Sequence, residues 1–198
     1  MKLITVLLLM LLTFSAKAAD NNLKNQSSET IAKKQKILLL GDSLAEGMAK
    51  EFVKKASAAD YAKSVQAKGG TRCKDWSGKI EKLMINFRPG LTIISLGTND
   101  AGPENVEDQR QYVRNIRDIA KKYNSKILWI LPRKLPKKFK GQENIRKIIK
   151  EEINTDVFDS SHLDLPMSND KIHPIKNGYD AWFCSIWNYL LERRIVSN

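Results

Sequence analysis

From residue 36 onward, five short strand-like runs, the first and third of them apolar, alternate with five longer stretches of helical composition, and most of the links between them are short. The runs 37–40, 61–67, 91–96, 126–131 and 156–158 read as strands. The stretches 44–58, 75–87, 103–123, 142–153 and 175–193 read as helices. Run 37–40 is Ile-Leu-Leu-Leu, with no polar residue, as a strand covered on both faces requires. Parallel neighbours can be joined only by a crossover, and a helix supplies it. The alternation therefore implies an α/β fold with a parallel sheet and helices on both faces. With 198 residues the chain can build one such core. Three apolar stripes mark the inward helix faces. The first is Met48, Phe52 and Val53, and the second Trp76, Ile80, Leu83, Met84 and Phe87. The third is Val106, Tyr112, Val113, Ile116 and Ile119.

In a parallel sheet the carboxyl ends of the strands lie along one edge, where open α/β folds place their ligands. Chemistry-bearing residues stand at these ends. Gly41-Asp42-Ser43 follows the first strand and opens a helix, whose first N–H groups are unpaired and carry partial positive charge. A serine there is placed to attack an acyl group while N–H groups hold the resulting oxyanion. The plainer alternative is that Asp42 or Ser43 is only a helix N-cap. Lys68-Gly69-Gly70-Thr71 turns after the second strand, and Gly97-Thr98-Asn99-Asp100 follows the third. Just before the last helix comes Asp170-Lys171-Ile172-His173. A carboxylate three residues before a histidine can reach Nδ1 when the segment turns, leaving Nε2 to take a proton from a serine. The only other histidine is His162, which pairs by spacing with Asp164 less suitably. No clustered His, Cys and carboxylate set calls for a metal, and no cofactor is expected.

The N-terminus has a different character. Met1-Lys2, an apolar run from Leu3 to Phe14 and Ala16-Lys17-Ala18 have the pattern of a secretory signal peptide cut after residue 18. Residues 19–35 form a polar leader, and the domain begins at 36. Cleavage would remove two lysines and no acid, lowering the net charge from +12 to +10. A basic exported protein suits anionic cell-wall polymers or acidic glycans, with no nucleic acid partner and no stable membrane insertion after cleavage. The expected location is periplasmic or secreted. In an oxidising compartment Cys73 and Cys184 can form one disulfide, worth about 4 kcal/mol as a long-loop crosslink. Two separate thiols are the alternative.

Gly41-Asp42-Ser43-Leu44, Gly97-Thr98-Asn99-Asp100 and Asp170-Lys171-Ile172-His173, in that order, resemble the SGNH (GDSL) hydrolases. The Gly69-Gly70 turn fills the second place in the set. His173-Pro174 and Asn177-Gly178-Tyr179 are similar to that family's closing HPxxxGY. The resemblance spans roughly residues 36–190. It implies a flavodoxin-like three-layer α/β/α sandwich on a five-stranded parallel sheet. It implies Ser43 as nucleophile, His173 as general base and then acid, and Asp170 as its orienting carboxylate. The oxyanion hole would be the N–H of Ser43, the N–H of Gly70 (or of Gly69) and the Asn99 amide. Asp42 and Asp100 would brace the turns.

Short loops predict an open, shallow site, suited to a polymer. Arg72, Trp76 and Arg133, the last opening a basic run at 133–140, are expected on its rim. The leading expectation is an exported serine esterase that removes small acyl groups, chiefly acetyl, from an envelope or cell-wall glycan. A lysophospholipase or thioesterase of the same family and a non-catalytic envelope-binding module are the alternatives.

Overall fold

The computed structural model describes residues 35–102, 105–134, 141–154 and 156–197. The expected signal peptide, the leader up to residue 34 and the basic run beyond residue 134 lie outside the described residues.

The apolar run after Lys36 cannot be left in water, and it becomes strand β1 (Lys36–Gly41), buried from Ile37 onward. Helix α1 (Ser43–Ala58) follows at once, and strand β2 (Ala62–Ala67) lies parallel to β1. Next come α2 (Cys73–Ser77), α3 (Ile80–Phe87) and β3 (Leu91–Ser95). A 3-10 turn over Thr98–Asp100 leads to α4 (Val106–Lys122), β4 (Lys126–Leu131) and α5 (Gln142–Ile153). Strand β5 (Val157–Asp159) and α6 (Lys176–Glu192) complete the order. The sheet is parallel throughout, ordered β2-β1-β3-β4-β5.

Alternation along β1 divides the core in two. Ile37 and Leu39 point to the layer of α1 and α6, where they meet Phe52, Trp182 and Phe183. Leu38 and Leu40 point to the other layer, with Ile80 and Met84 of α3, Val113 and Ile116 of α4, and Ile145 and Ile149 of α5. These are the three layers that strand–helix alternation implies. Register then levels the functional edge. Gly41 is opposite both Ala67 of β2 and Ser95 of β3, so the residues after these three leave the sheet side by side.

Several local expectations change. The single helix over 75–87 is two, α2 ending at Ser77 and α3 starting at Ile80, and at the break Asn115 of α4 donates its amide to the carbonyl (3.0 Å) and hydroxyl (2.8 Å) of Ser77. Val53 and Val106 lie on the outer faces of α1 and α4, exposed instead of inward. Cys73 is buried in the layer of α2–α5, while Cys184 sits on α6 on the other side of the sheet, and both thiols are free. Among the described residues no helix is long and apolar enough to cross a membrane.

Candidate active site

Ser43 is the first residue of α1, set by the cap before it. Asp42 is extended (φ −101°, ψ −155°), and its Oδ1 accepts the Leu44 N–H at 2.9 Å. The first bond of the helix ladder runs from the Glu46 N–H to the Asp42 carbonyl, so the Ser43 N–H precedes the ladder and faces the edge of the sheet without a helical partner.

The segment before α6 brings the imidazole to this serine across 130 positions of sequence. Ser43 Oγ and His173 Nε2 are 2.9 Å apart. His173 Nδ1 and Asp170 Oδ2 are 2.6 Å apart. The other carboxylate oxygen of Asp170 accepts the Ser168 hydroxyl (2.6 Å) and the N–H groups of Ile172 (2.8 Å) and His173 (2.9 Å). Those bonds, that from Ser168 first, hold the Asp170 carboxyl well below the usual carboxylate range. A carboxylate that stays ionised keeps the proton on Nδ1 and leaves Nε2 as an acceptor facing the Ser43 hydroxyl. The segment is pinned at its base, where Ser168 N–H donates to His173 O at 2.8 Å and Ile175 N–H to Pro166 O at 2.9 Å. Side chains here remain open to water, 38% exposed at His173 and 45% at Asp170.

The turn after β2 closes with the Thr71 N–H on Lys68 O at 3.3 Å, and Gly70 has φ +74°. That is the third position of a type II turn, where a side chain would be strained. Gly69 stands against the serine. A Cβ added at Gly69 would lie 3.7 Å from Ser43 Cβ and 3.2 Å from Glu46 Oε2. Asn99, from the turn after β3, joins the two neighbouring turns. Its Nδ2 donates to Thr71 O at 2.9 Å and, at 3.4 Å, to Asp42 Oδ2. Burial pushes the Asp42 carboxyl up to about 7, against the pull of the Leu44 N–H. Asp100 is buried and accepts the Cys73 N–H at 3.1 Å, bracing the start of α2.

The structure thus joins Ser43, His173 and Asp170 by hydrogen bonds, sets Gly69 against the serine and ties Asn99 to Asp42 and Thr71 on either side of it. It does not bring all the expected rim residues with them. Trp76 is only 8% exposed and donates its indole N–H to Thr71 Oγ1 at 2.9 Å, so it supports the glycine turn from beneath. Arg133 donates to the carbonyls of Ser160 (2.9 Å) and Leu163 (3.1 Å) and holds that loop in place. Arg72 is the N-cap of α2, its backbone N–H on Asp75 Oδ2 at 2.8 Å. His162 packs edge-on against Phe158, and the Ser43 hydroxyl bonds to His173. Sequence reasoning missed Ser168, whose short spacing to Asp170 is the signal for such a turn. It also missed Glu46 and the contact between Gly47 and Tyr179. Among the described residues no group of three or more His, Cys, Asp or Glu is placed to hold a metal.

Comparison with solved structures returns esterases and acylhydrolases. The esterase EstA from Pseudoalteromonas sp., in a structure inhibited by monoethylphosphonate, is 21% identical with a TM-score of 0.66. The match covers 79% of this chain and 99% of that one. A lipase/acylhydrolase from Enterococcus faecalis is 18% identical (TM-score 0.66, 80% and 96% covered). A catalytic mutant of the acetylxylan esterase Axe2 from Geobacillus stearothermophilus is 16% identical (TM-score 0.63, 78% and 93% covered). These likenesses show a shared fold. No curated protein sequence matches the chain. A family profile described as "Protein of unknown function (DUF459)" matches residues 36–165, a span that includes Ser43, Gly70 and Asn99. The chain belongs to that DUF459 family and is built on the SGNH (GDSL) hydrolase fold.

Proposed function

We propose that this protein is an exported serine esterase that removes small acyl groups, chiefly acetyl, from the hydroxyls of an envelope or cell-wall glycan. One observation carries the chemistry: the continuous hydrogen-bonded line from Ser43 Oγ through His173 to Asp170, at 2.9 and 2.6 Å. In this reading Ser43 Oγ bonds to the acyl carbon as its proton passes to His173 Nε2. The tetrahedral oxyanion is met by the N–H of Ser43, the N–H of Gly70 and an N–H of Asn99. Of the two Asn99 amide protons, the one toward Asp42 Oδ2 makes the longer bond, at 3.4 Å, and is the one this reading assigns to the oxyanion, while the other stays on Thr71 O at 2.9 Å. Collapse breaks the bond to the sugar oxygen, and His173 Nε2 gives that oxygen its proton. Water then adds to the acyl carbon as His173 takes its proton. The Ser43–acyl bond breaks, the proton returns to Ser43 Oγ and the acid leaves. Each oxyanion donor of this kind is worth about 3–4 kcal/mol in the transition state.

The substrate class rests on three supports. The exposure of His173 and Asp170 suits a surface-bound polymer. The Glu46 carboxylate beside Gly69 offers an acceptor to the hydroxyls around a sugar ester. Among proteins of the same fold are acetylxylan esterases. Export rests on the pattern over residues 1–18.

The test is turnover of p-nitrophenyl acetate and of an O-acetylated glycan by the purified protein. The reading expects acetate release by wild type and none above background by Ser43→Ala. No release from either substrate, or equal release by the variant, would contradict it and favour a binding module. A rate that climbs steeply from acetyl to long acyl esters would favour a lipid or thioester substrate instead, each buried CH₂ contributing about 0.8 kcal/mol.

A further inference from the structure

Helix α1 is touched by the His173 segment at two places one helical turn apart. Ser43 and Gly47 are four residues apart, so they share one face of α1. Ser43 meets His173 at 2.9 Å. Gly47 meets the ring of Tyr179. A Cβ added at Gly47 would lie 2.5 Å from Tyr179 Cε2 and closer still to Cε1 and Cζ. The phenol ring therefore lies directly against the helix backbone, where only a glycine leaves room. A glycine inside a helix costs about 0.8–1 kcal/mol relative to alanine, so helix formation gives no reason for one here. The ring contact does.

Tyr179 is tied rigidly to the histidine. Its N–H makes the first hydrogen bond of α6, to Ile175 O at 3.0 Å, and the Ile175 N–H is held by Pro166 O. Pro174 is bridged to Met167 across the loop. Gly178, just before the tyrosine, is packed so closely on Pro166 O that a Cβ there would overlap it. The 166–179 segment is thus held together by its own hydrogen bonds and close packing, and both the Tyr179 ring and the His173 imidazole meet α1. Burial, with Asp42, Asp170 and Glu46 nearby, holds the phenol proton up to about 12, so Tyr179 stays neutral at working pH.

We propose that Tyr179 is a positioning residue. Its ring, seated on Gly47, sets the height of the His173 segment above α1 and hence the separation of Ser43 Oγ and His173 Nε2. This rests on the reading that Ser43 and His173 carry the chemistry.

The experiment uses the full chain with Gly47→Ala, Tyr179→Phe, Tyr179→Ala and the double variant Gly47→Ala/Tyr179→Ala. Carbon atoms in contact sit about 3.5–4 Å apart, so the new methyl must push the ring back by about 1 Å or more. A displacement of that size costs about 100-fold in rate. Gly47→Ala should lose about 100-fold in kcat on p-nitrophenyl acetate with KM within about twofold. Tyr179→Phe keeps the ring and should stay near wild type. Tyr179→Ala should lose at least tenfold, and the double variant should recover at least tenfold over Gly47→Ala. Wild-type kcat in folded Gly47→Ala would overturn the proposal. So would a folded double variant no faster than Gly47→Ala, or Tyr179→Phe falling as far as Tyr179→Ala. Should Gly47→Ala not fold, the difference between Tyr179→Phe and Tyr179→Ala decides alone. If wild type turns over no ester, the catalytic reading fails separately. A crystal structure of Tyr179→Ala then tests the positioning: a Ser43–His173 distance still near 2.9 Å would refute it, and one beyond about 3.5 Å would support it.

Discussion

Asp170→Asn isolates the role of the carboxylate with little change of shape. One oxygen of Asp170 accepts three donors: the Ser168 hydroxyl and the N–H groups of Ile172 and His173. An asparagine must keep its carbonyl oxygen there, because an NH₂ would meet three donors and find no acceptor. Its NH₂ is thereby forced onto His173 Nδ1, where Asp170 Oδ2 now sits at 2.6 Å. Nδ1 must then accept, so the ring proton moves to Nε2. The atom facing Ser43 Oγ at 2.9 Å becomes a donor and can no longer take the serine proton. A wrong tautomer in otherwise intact geometry lowers kcat by about 10⁴-fold. The assay is kcat on p-nitrophenyl acetate near pH 7.5, with circular dichroism to verify folding. KM should hold within a few-fold, since the carboxylate touches the ring and not the substrate. A loss smaller than tenfold in a folded variant would refute the tautomer argument and return His162 to consideration as the base.

Three further outcomes follow from other parts of the structure. Asn99→Ala removes the link from Thr71 O to Asp42 and, on the proposed mechanism, one oxyanion donor, so kcat should fall about 100- to 1,000-fold, read on the same ester. Glu46→Gln should raise KM for an acetylated oligosaccharide several-fold more than for p-nitrophenyl acetate, which has no hydroxyl to donate; equal effects would remove Glu46 from the sugar contact. Glu152 is 9% exposed and bonded to Arg110, Arg114 and Arg117, and its carboxyl is held down to about 2, chiefly by Arg114. Its folded value lies below its unfolded one of 4.5, so its contribution is present above pH 4.5 and fades as pH falls toward 2. Discounted for the partly solvated arginines, Glu152→Gln should lower unfolding free energy by about 1–2 kcal/mol at pH 7, with the difference shrinking toward pH 2 in urea melts.

What the sequence discloses and what it hides divide along a physical line. Buried parallel strands must be continuous apolar runs, so β1, β3 and β4 stand out, and the sheet and its layers follow from the helices between them. Ser43, Gly70 and Asn99 stand out because parallel register forces three strand ends to one edge, and Asp170 and His173 because their spacing is local. Contacts made across the chain leave no such trace. Trp76 follows a glycine turn and looks like a rim residue, yet Thr71 satisfies its indole N–H and lets it sink. Arg133 opens a basic run and looks like a ligand for anions, and the sequence gives no sign that its Nη1 also donates to the carbonyls of Ser160 and Leu163. The helix breaks after Ser77, where it meets Asn115 from 38 positions away. Gly47 and Tyr179, 132 positions apart by number, show nothing in the sequence that would pair them. The cysteines, read from sequence as a possible crosslink, lie on opposite sides of the sheet, a separation that only the order of the strands decides.

The proposed chemistry requires Ser43 to be a nucleophile made reactive by His173. Its most direct test is covalent trapping with a serine-directed phosphonate followed by peptide mapping. The account predicts stoichiometric label on Ser43 in the wild-type protein, none in Ser43→Ala and labelling slowed at least 100-fold in His173→Ala. Label on another residue, or labelling of Ser43 at the same rate in folded His173→Ala, would contradict it.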